Sequence, residues 1–352
     1  MRLVVWWSLA LASGIGMVSS AAGAAFDALT VDPFASVLLR YENDINTTGV
    51  VDRERVRLVG HAGVQGQLLP SWHYRVRLST GLKNQQNVPA MTVYRFTDQP
   101  SPDADVYVSQ AYAEYQQDTT RVRLGKLPWQ LNNVTDVFWD RDLNPIGVSG
   151  QFKVTDRFSV IGMAVAPLDG NANTVGELAA LQGVLTGREG NWQWQLAPWL
   201  VHYTGDAQCR FACRDTDIAH TSLRLSAYLQ HHSWRVGLDA GYALALPDEV
   251  TDASRDDRSS VALEARYGAL KVANDWQAYI RLLRVERHGV IAEFAQNATG
   301  RLTTHNYRGL DMRARYALQD HWWWGARFSY LQLLEGPDAQ AVRLRVETQY
   351  RW

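Results

Sequence analysis

The stretch Arg53-Glu54-Arg55-Val56-Arg57-Leu58-Val59-Gly60 and, after a proline-containing turn, Trp72-His73-Tyr74-Arg75-Val76-Arg77-Leu78 decide the fold class. One parity is charged and the other largely apolar. That alternation of period two belongs to a strand with two unlike faces, not to a helix. It recurs at Arg121-Val122-Arg123-Leu124, Ser222-Leu223-Arg224-Leu225-Ser226-Ala227, Trp234-Arg235-Val236-Gly237-Leu238-Asp239-Ala240 and Val342-Arg343-Leu344-Arg345-Val346, close to the last residue. A soluble sandwich also alternates but turns its apolar faces inward. This chain has too few fully apolar strands to build such a core. A transmembrane β-barrel inverts the arrangement, apolar toward lipid and polar toward the lumen.

Spacing extends the reading along the chain. Strands are expected near 34–43, 53–68, 72–83, 106–116, 120–127, 146–153, 157–166, 177–187, 191–203, 219–230, 233–246, 259–268, 275–287, 305–317, 321–333 and 341–352. Every second connection is tight, as at Leu69-Pro70-Ser71, Gln117-Asp118-Thr119 and His231-His232. The intervening ones are longer and read as polar outer loops: Asn84–Asp105, Pro128–Pro145, Thr204–Asp217, Pro247–Arg258 and His288–His305. The sequence therefore predicts an all-β chain, an antiparallel up-and-down transmembrane β-barrel of about 16 strands with short periplasmic turns and longer outer loops. An even count returns both termini to the periplasm.

The N-terminus agrees with export. Met1-Arg2 is a minimal positive region, Leu3 to Met17 is mostly apolar, and Ala22-Gly23-Ala24 fits the pattern a signal peptidase reads. Residues 1–24 are expected to be a cleaved signal peptide and 25–352 one barrel; a short membrane anchor is the alternative. Beyond this region no run reaches the roughly 18 apolar residues of a membrane helix. With 35 basic and 36 acidic residues the chain has no global charge to offer a partner, which disfavours nucleic acid.

Aromatic residues sit at one level of the expected barrel. Trp72, Trp192, Trp234, Trp276 and Trp322 each follow a short turn, as does Phe158, and Trp352 ends the chain. An indole prefers the membrane interface, because its body is apolar while its N–H needs a polar partner. Together they predict a periplasmic girdle; unrelated core aromatics are the alternative.

Three segments carry a resemblance to a known family: Tyr107-Val108-Ser109-Gln110-Ala111-Tyr112-Ala113-Glu114-Tyr115, Leu124-Gly125-Lys126-Leu127-Pro128-Trp129, and Trp139-Asp140-Arg141-Asp142-Leu143-Asn144-Pro145-Ile146-Gly147. They resemble bacterial outer-membrane porins, in which a strand with an Ala-Tyr pair precedes a Gly-Lys strand end and a loop carrying Trp-Asp or Asp-Leu. The run Gln349-Tyr350-Arg351-Trp352 resembles the terminal strand of outer-membrane proteins, with Trp where Phe is commoner. The resemblance implies an outer-membrane location amid lipid and lipopolysaccharide. It also implies recognition by the barrel-assembly machinery through the C-terminal strand, with a homotrimer as the expected assembly. The third outer loop, 128–145, is expected to fold into the lumen and narrow it.

Parity then places Arg53, Arg55, Arg57, Arg75, Arg77, Arg121, Arg123, Arg343 and Arg345 on the lumen wall, with Arg351 beyond them. Asp136, Asp140 and Asp142 of the third loop supply the opposite charge, and a field between loop and wall would set selectivity. The bland alternative pairs these arginines with Glu54, Glu114, Glu347 and water.

Other constellations are weaker. Cys209 and Cys213 lie five residues apart inclusive in an exported chain and are expected to form a disulfide that staples the loop. His202 and His220 flank them, but zinc would need four convergent ligands, so no metal is expected. Asp248, Glu249, Asp252, Asp256 and Asp257 match no calcium-loop spacing and suit a lipopolysaccharide-bridging surface. There is no G-x-S-x-G elbow or phosphate-binding glycine loop; no catalytic residue, cofactor or enzyme activity is expected. The function this predicts is passive diffusion of small hydrophilic solutes, with an anion preference. A substrate-dedicated channel or exporter is the first alternative, and a non-conducting adhesin or barrel-embedded hydrolase the second.

Overall fold

Alternation along the chain resolves into seventeen strands of one antiparallel sheet in the computed structural model, which describes residues 29–45, 52–81, 89–96, 104–167, 176–205, 218–246, 250, 254–296 and 302–352. They are β1 (Asp32–Ile45), β2 (Arg53–Leu69), β3 (Trp72–Gly81), β4 (Met91–Arg95), β5 (Asp105–Gln117), β6 (Thr120–Lys126), β7 (Ile146–Lys153), β8 (Phe158–Ala166) and β9 (Glu177–Glu189). The remainder are β10 (Trp192–Gly205), β11 (Ile218–His231), β12 (Trp234–Ala245), β13 (Ser259–Gly268), β14 (Trp276–Val285), β15 (Tyr307–Gln319), β16 (Trp322–Leu333) and β17 (Gln340–Arg351). No α-helix occurs among the described residues.

The sheet closes on itself. β17 pairs with β1 from Ser36↔Arg351 to Ile45↔Val342, while the other edge of β1 pairs with β2. Closure removes the free edges that would otherwise recruit another chain. Sixteen strands encircle the axis and β4 is additional. β3 stops at Gly81, whose φ of 130° ends its regular course, and pairs directly with β5. The edge of β2 left uncovered beyond that point, Arg55 to Leu58, is taken by β4. This corrects the reading of 84–105 as loop alone: Met91-Thr92-Val93-Tyr94 has strong strand propensity and meets a free edge.

The short connections are tight hairpins. Asp118 (φ 45°), His232 (φ 50°) and Asn274 (φ 71°) adopt the left-handed conformation that such turns require. Between hairpins the side chains sort by parity. Val76 and Leu78 are 38% and 43% exposed on the outer face, and Leu263 and Leu282 on β13 and β14 likewise, whereas Glu42, Asp311 and Arg343 are buried on the inner one. That sorting is inverted relative to a soluble domain and suits a lipid-facing exterior.

One sector departs from the expected polar interior. Ile161, Met163 and Val165 of β8, Leu178, Ala180 and Val184 of β9, and Ala197, Trp199, Val201 and Tyr203 of β10 are all buried. They point inward by register with one another. The reason is that two connections fold against them. Leu127, Leu131, Val137, Phe138, Trp139 and Leu143, between β6 and β7, join Val290, Ile291, Phe294, Ala295 and Leu302, between β14 and β15, in one apolar cluster with this wall. The second connection was read as a polar outer loop; its central residues are instead core. Apolar burial on this scale holds both loops inside the barrel.

Candidate functional site

The opposite sector of the wall is dominated by arginine. In register across β15, β16, β17, β1, β2 and β4 runs the row Arg313, Arg327, Arg345, Glu42, Arg55, Arg95. Adjacent rows supply Arg315, Glu347, Arg40 and Arg57 on one side and Asp311, Arg343, Asp44 and Arg53 on the other. Like charges directly across a strand pair repel, so the carboxylates of neighbouring rows are what permit the arrangement. Glu42 accepts from Arg345 Nε and Arg55 Nε, each at 2.8 Å. Asp311 accepts from Arg327 Nε at 2.7 Å, and Glu347 from Arg40 Nε at 2.7 Å and from Arg313. Asp44 links Arg53, at 2.7 Å, to Arg343. These buried pairs are charge-assisted and short, which fixes the guanidinium planes.

Further round, Arg77 donates to Ser109 Oγ at 2.8 Å and Arg75 to Gln110 and Gln65, while Arg75 lies 4.0 Å from the Phe34 ring centroid. Arg123 donates to Glu114 and Gln130, and Arg121 sits 3.8 Å from Glu114. Each arginine named from the sequence lies at an inward position and bonds to a neighbour. Of the carboxylates considered as their partners, Glu114 and Glu347 serve; Glu54 does not, since it accepts from Tyr41 Oη at 2.6 Å. Glu42, Asp44 and Asp311 do most of the pairing. Their inward parity in alternating strands was the available signal.

The connection between β6 and β7 crosses the interior to face this wall. Its neck is closed by Leu127 N–H donating to the Pro145 carbonyl at 2.8 Å. Its tip is tied to the far wall: Asn132 N–H donates to Gln182 at 2.7 Å, Val134 N–H to Asp239 at 3.0 Å and Thr135 Oγ1 to Asp239 at 2.6 Å. Gly237 permits that approach, since a Cβ there would lie 2.5 Å from Val134 Cγ1. Within the loop Trp129 and Trp139 stack at 4.3 Å. The second loop supports it: Asp140 N–H donates to the Phe294 carbonyl at 2.6 Å, and Gln296 Nε2 to Asp136 at 3.1 Å. Arg224 holds both loops, donating to the Gly289 carbonyl at 3.0 Å with its guanidinium 4.2 Å from the Phe138 ring.

The three aspartates of the loop are thus held in one short segment with different surroundings. Burial raises Asp136, but Arg141, Arg281 and Arg327 outweigh it and hold this carboxyl below the usual range. Asp142 is raised by burial, against the pull of Arg141, Arg77 and Arg40. Asp140 is pushed up to about 8 by burial and by the charge of Asp142. Negative loop and positive wall therefore face each other across the interior.

The aromatic residues follow one construction. Trp72, Trp192, Trp234, Trp276 and Trp322 each open a strand at the short-turn end on the outer face. Trp72 packs on Tyr115 at 5.3 Å, Trp234 on Tyr267 at 5.0 Å, Trp276 on Tyr316 at 4.9 Å and Trp192 on His231 at 4.4 Å. The Trp322 indole donates to Thr348 Oγ1 at 2.8 Å, and the Trp352 ring lies 4.7 Å from that of Tyr350 while its backbone N–H donates to the Ala35 carbonyl at 2.9 Å. Residues 1–24, the Cys209–Cys213 pair and Asp248, Glu249 and Asp252 lie outside the described residues. His202 and His220 do not converge: the first is exposed and bonds Thr221, the second is buried inside and bonds the His288 carbonyl.

This closed barrel has counterparts among solved structures. Pseudomonas putida OprB superposes with a TM-score of 0.59 at 8% identity, over 95% of this chain and 96% of that one. The chain has the fold of the outer-membrane porins. Salmonella typhi OmpF matches at a TM-score of 0.58 and 10% identity, over 93% and 99% of the two chains. A BenF-like porin from Pseudomonas fluorescens matches at 0.51 and 9%, over 92% and 98%. No protein-family model and no curated protein matches the sequence. The porin fold is thus kept at identities where little beyond inside–outside alternation survives.

Proposed function

We propose that this chain is an outer-membrane channel for small hydrophilic solutes, with a preference for anions. The observation that carries the reading is the arginine wall of β15–β17 and β1–β3, in which inward arginines outnumber the carboxylates Asp311, Glu347, Glu42 and Asp44 and face the aspartates of a loop tied across the interior. A surplus of fixed positive charge beside a narrow aqueous path raises the local concentration of anions. The signal-peptide pattern of residues 1–24, the aromatic belt at the short-turn end and the terminal strand bearing Tyr350 and Trp352 support placement in the outer membrane, turns toward the periplasm. Single-channel recording in planar bilayers tests this. Discrete ohmic steps in potassium chloride, with a reversal potential on the anion side in a salt gradient, are expected; purified, folded protein that produces no steps removes the reading.

A further inference from the structure

Arg315 differs from the arginines beside it. Arg313, Arg40 and Arg57 of the same and the adjacent row each have a carboxylate or carbonyl acceptor, whereas among the described residues Arg315 has none. It is held by stacking instead: its guanidinium carbon lies 4.4 Å from the centroid of the Trp323 ring, over which Arg313 also lies at 5.6 Å. Gly325, its direct partner on β16, gives it room, because a Cβ there would lie 2.8 Å from Arg315 Cγ. Both Arg315 Nε and the indole Nε1 of Trp323 are buried donors without an acceptor, and Trp323 is only 6% exposed. A buried donor left unbonded has lost its hydrogen bond to water without a replacement, so a pair of them on adjacent strands is an arrangement that an acceptor would relieve. The nearby carboxylate, Glu347, is occupied by Arg40 and Arg313, and Arg141 of the loop adds positive potential from across the interior.

We propose that Arg315 and the Trp323 N–H form a subsite for the oxyanion group, carboxylate or phosphate, of a permeating solute. The proposal rests on the channel reading and deepens it, from a field that acts on any anion to a site that binds one kind. The chemistry suits two-oxygen anions: the free Nη groups present a planar fork that a carboxylate or phosphate edge matches and a chloride ion does not. The subsite lies toward the short-turn end of β15, which closes at Gln319. Occupancy makes transport saturable.

The test is single-channel conductance of the full-length protein against concentration in the potassium salts of chloride, acetate and phosphate. Chloride conductance is expected to rise in proportion to concentration, and acetate or phosphate conductance to level off. Saturation by acetate alone assigns carboxylates, and by phosphate alone phosphate groups. Arg315→Gln should raise the half-saturating concentration of acetate or phosphate by about tenfold or more, while chloride conductance, lowered by the loss of one wall charge, still rises in proportion to concentration and gel migration stays heat-modifiable, since no bond to protein is lost. Trp323→Phe keeps the stacking ring, deletes the N–H, and should weaken it several-fold. Linear acetate and phosphate curves with normal chloride steps overturn the subsite and leave the channel standing. Saturation that survives both Arg315→Gln and Trp323→Phe overturns it too. If Arg315→Gln fails to assemble, Trp323→Phe and Arg315→Lys decide, and unchanged saturation in both overturns it. Absence of steps in all three salts overturns the channel reading itself.

Discussion

The backbone N–H of Asp140 donates to the Phe294 carbonyl at 2.6 Å, joining two loops that enter the barrel from opposite stretches of the sheet. Phe294 is buried among Trp139, 5.1 Å away, and Tyr203, 5.3 Å away. The acidic loop is therefore positioned less by its own strands than by a second loop wedged behind it. Apolar packing on β8–β10 fills one side of the interior, and the charged faces are left to confront each other on the other.

Phe294→Ala should loosen both loops together. A buried Phe truncated to Ala costs about 3–5 kcal/mol where the cavity cannot collapse, and here the loss falls on the loops rather than on the strand ladder. The expected result is a larger and noisier single-channel conductance with gel migration still heat-modifiable. Quiet steps of unchanged size would show that the loop is held without this contact.

Much of this was legible in the sequence, and the exceptions have a physical pattern. Strand positions and both faces follow from alternation, because a strand's parity is fixed once one residue is placed; β7 and β13 begin and end where the sequence put them. The interior of β8–β10 was not legible that way. Val160-Ile161-Gly162-Met163-Ala164-Val165 is apolar on both parities, the mark of a strand buried on both sides, but what covers its inner face is chosen by tertiary packing. The loop 286–306 hid its role for a related reason: Val290-Ile291-Ala292 and Phe294-Ala295 are too short to carry a period. Parity also named the wall arginines but not their pairing, since Glu42 reaches Arg345 only because the last strand closes on the first.

Parity makes two neighbouring substitutions opposite in kind. Arg77→Glu, combined with Arg75→Glu, alters the inner wall and should move the reversal potential toward cations, more at low salt, where the Debye length exceeds about 10 Å. Val76→Arg places a charge on the apolar outer face and should destabilise the inserted barrel, by up to about 2–4 kcal/mol for a charge at the bilayer midplane, seen as poor outer-membrane accumulation. Reversal of the two phenotypes would mean the barrel is inside out.

Glu42 is the hub of the closing seam. It is fully buried on β1 and bonds arginines of β2 and of β17, with Arg57 and Arg343 within 4.0 Å. Glu42→Gln preserves shape while leaving this arginine cluster without its central charge. Breaking a buried pair by removing one partner costs about 3–5 kcal/mol, and here the cost falls where the first and last strands meet. The temperature at which the SDS-resistant form converts to the unfolded band should drop clearly below wild type. Asp156→Asn, whose side chain is 96% exposed in the turn between β7 and β8, serves as the control and should not move it.

The last expectation concerns pH. Asp140 is raised to about 8 by burial and by Asp142, so it carries its proton at neutral pH and loses it as pH rises through that value. The sign follows from charge. Below about pH 7 the loop presents Asp136, held ionised by Arg141, Arg281 and Arg327; above about pH 9 the carboxylate of Asp140 adds one negative charge. Anion preference should therefore fall on going alkaline. Asp140→Asn keeps the carboxamide neutral throughout and should hold the acid-side reversal potential at every pH, whereas Asp136→Asn should shift selectivity toward anions at all of them. Ionising Asp140 also opposes its burial, since a carboxyl whose folded pKa is raised stabilises the packed loop only while protonated. Alkaline solution should then make the conductance noisier as well as less anion-selective, and Asp140→Asn should suppress both changes together. A reversal potential that is flat with pH in the wild type, or that shifts equally in Asp140→Asn, places the titration elsewhere.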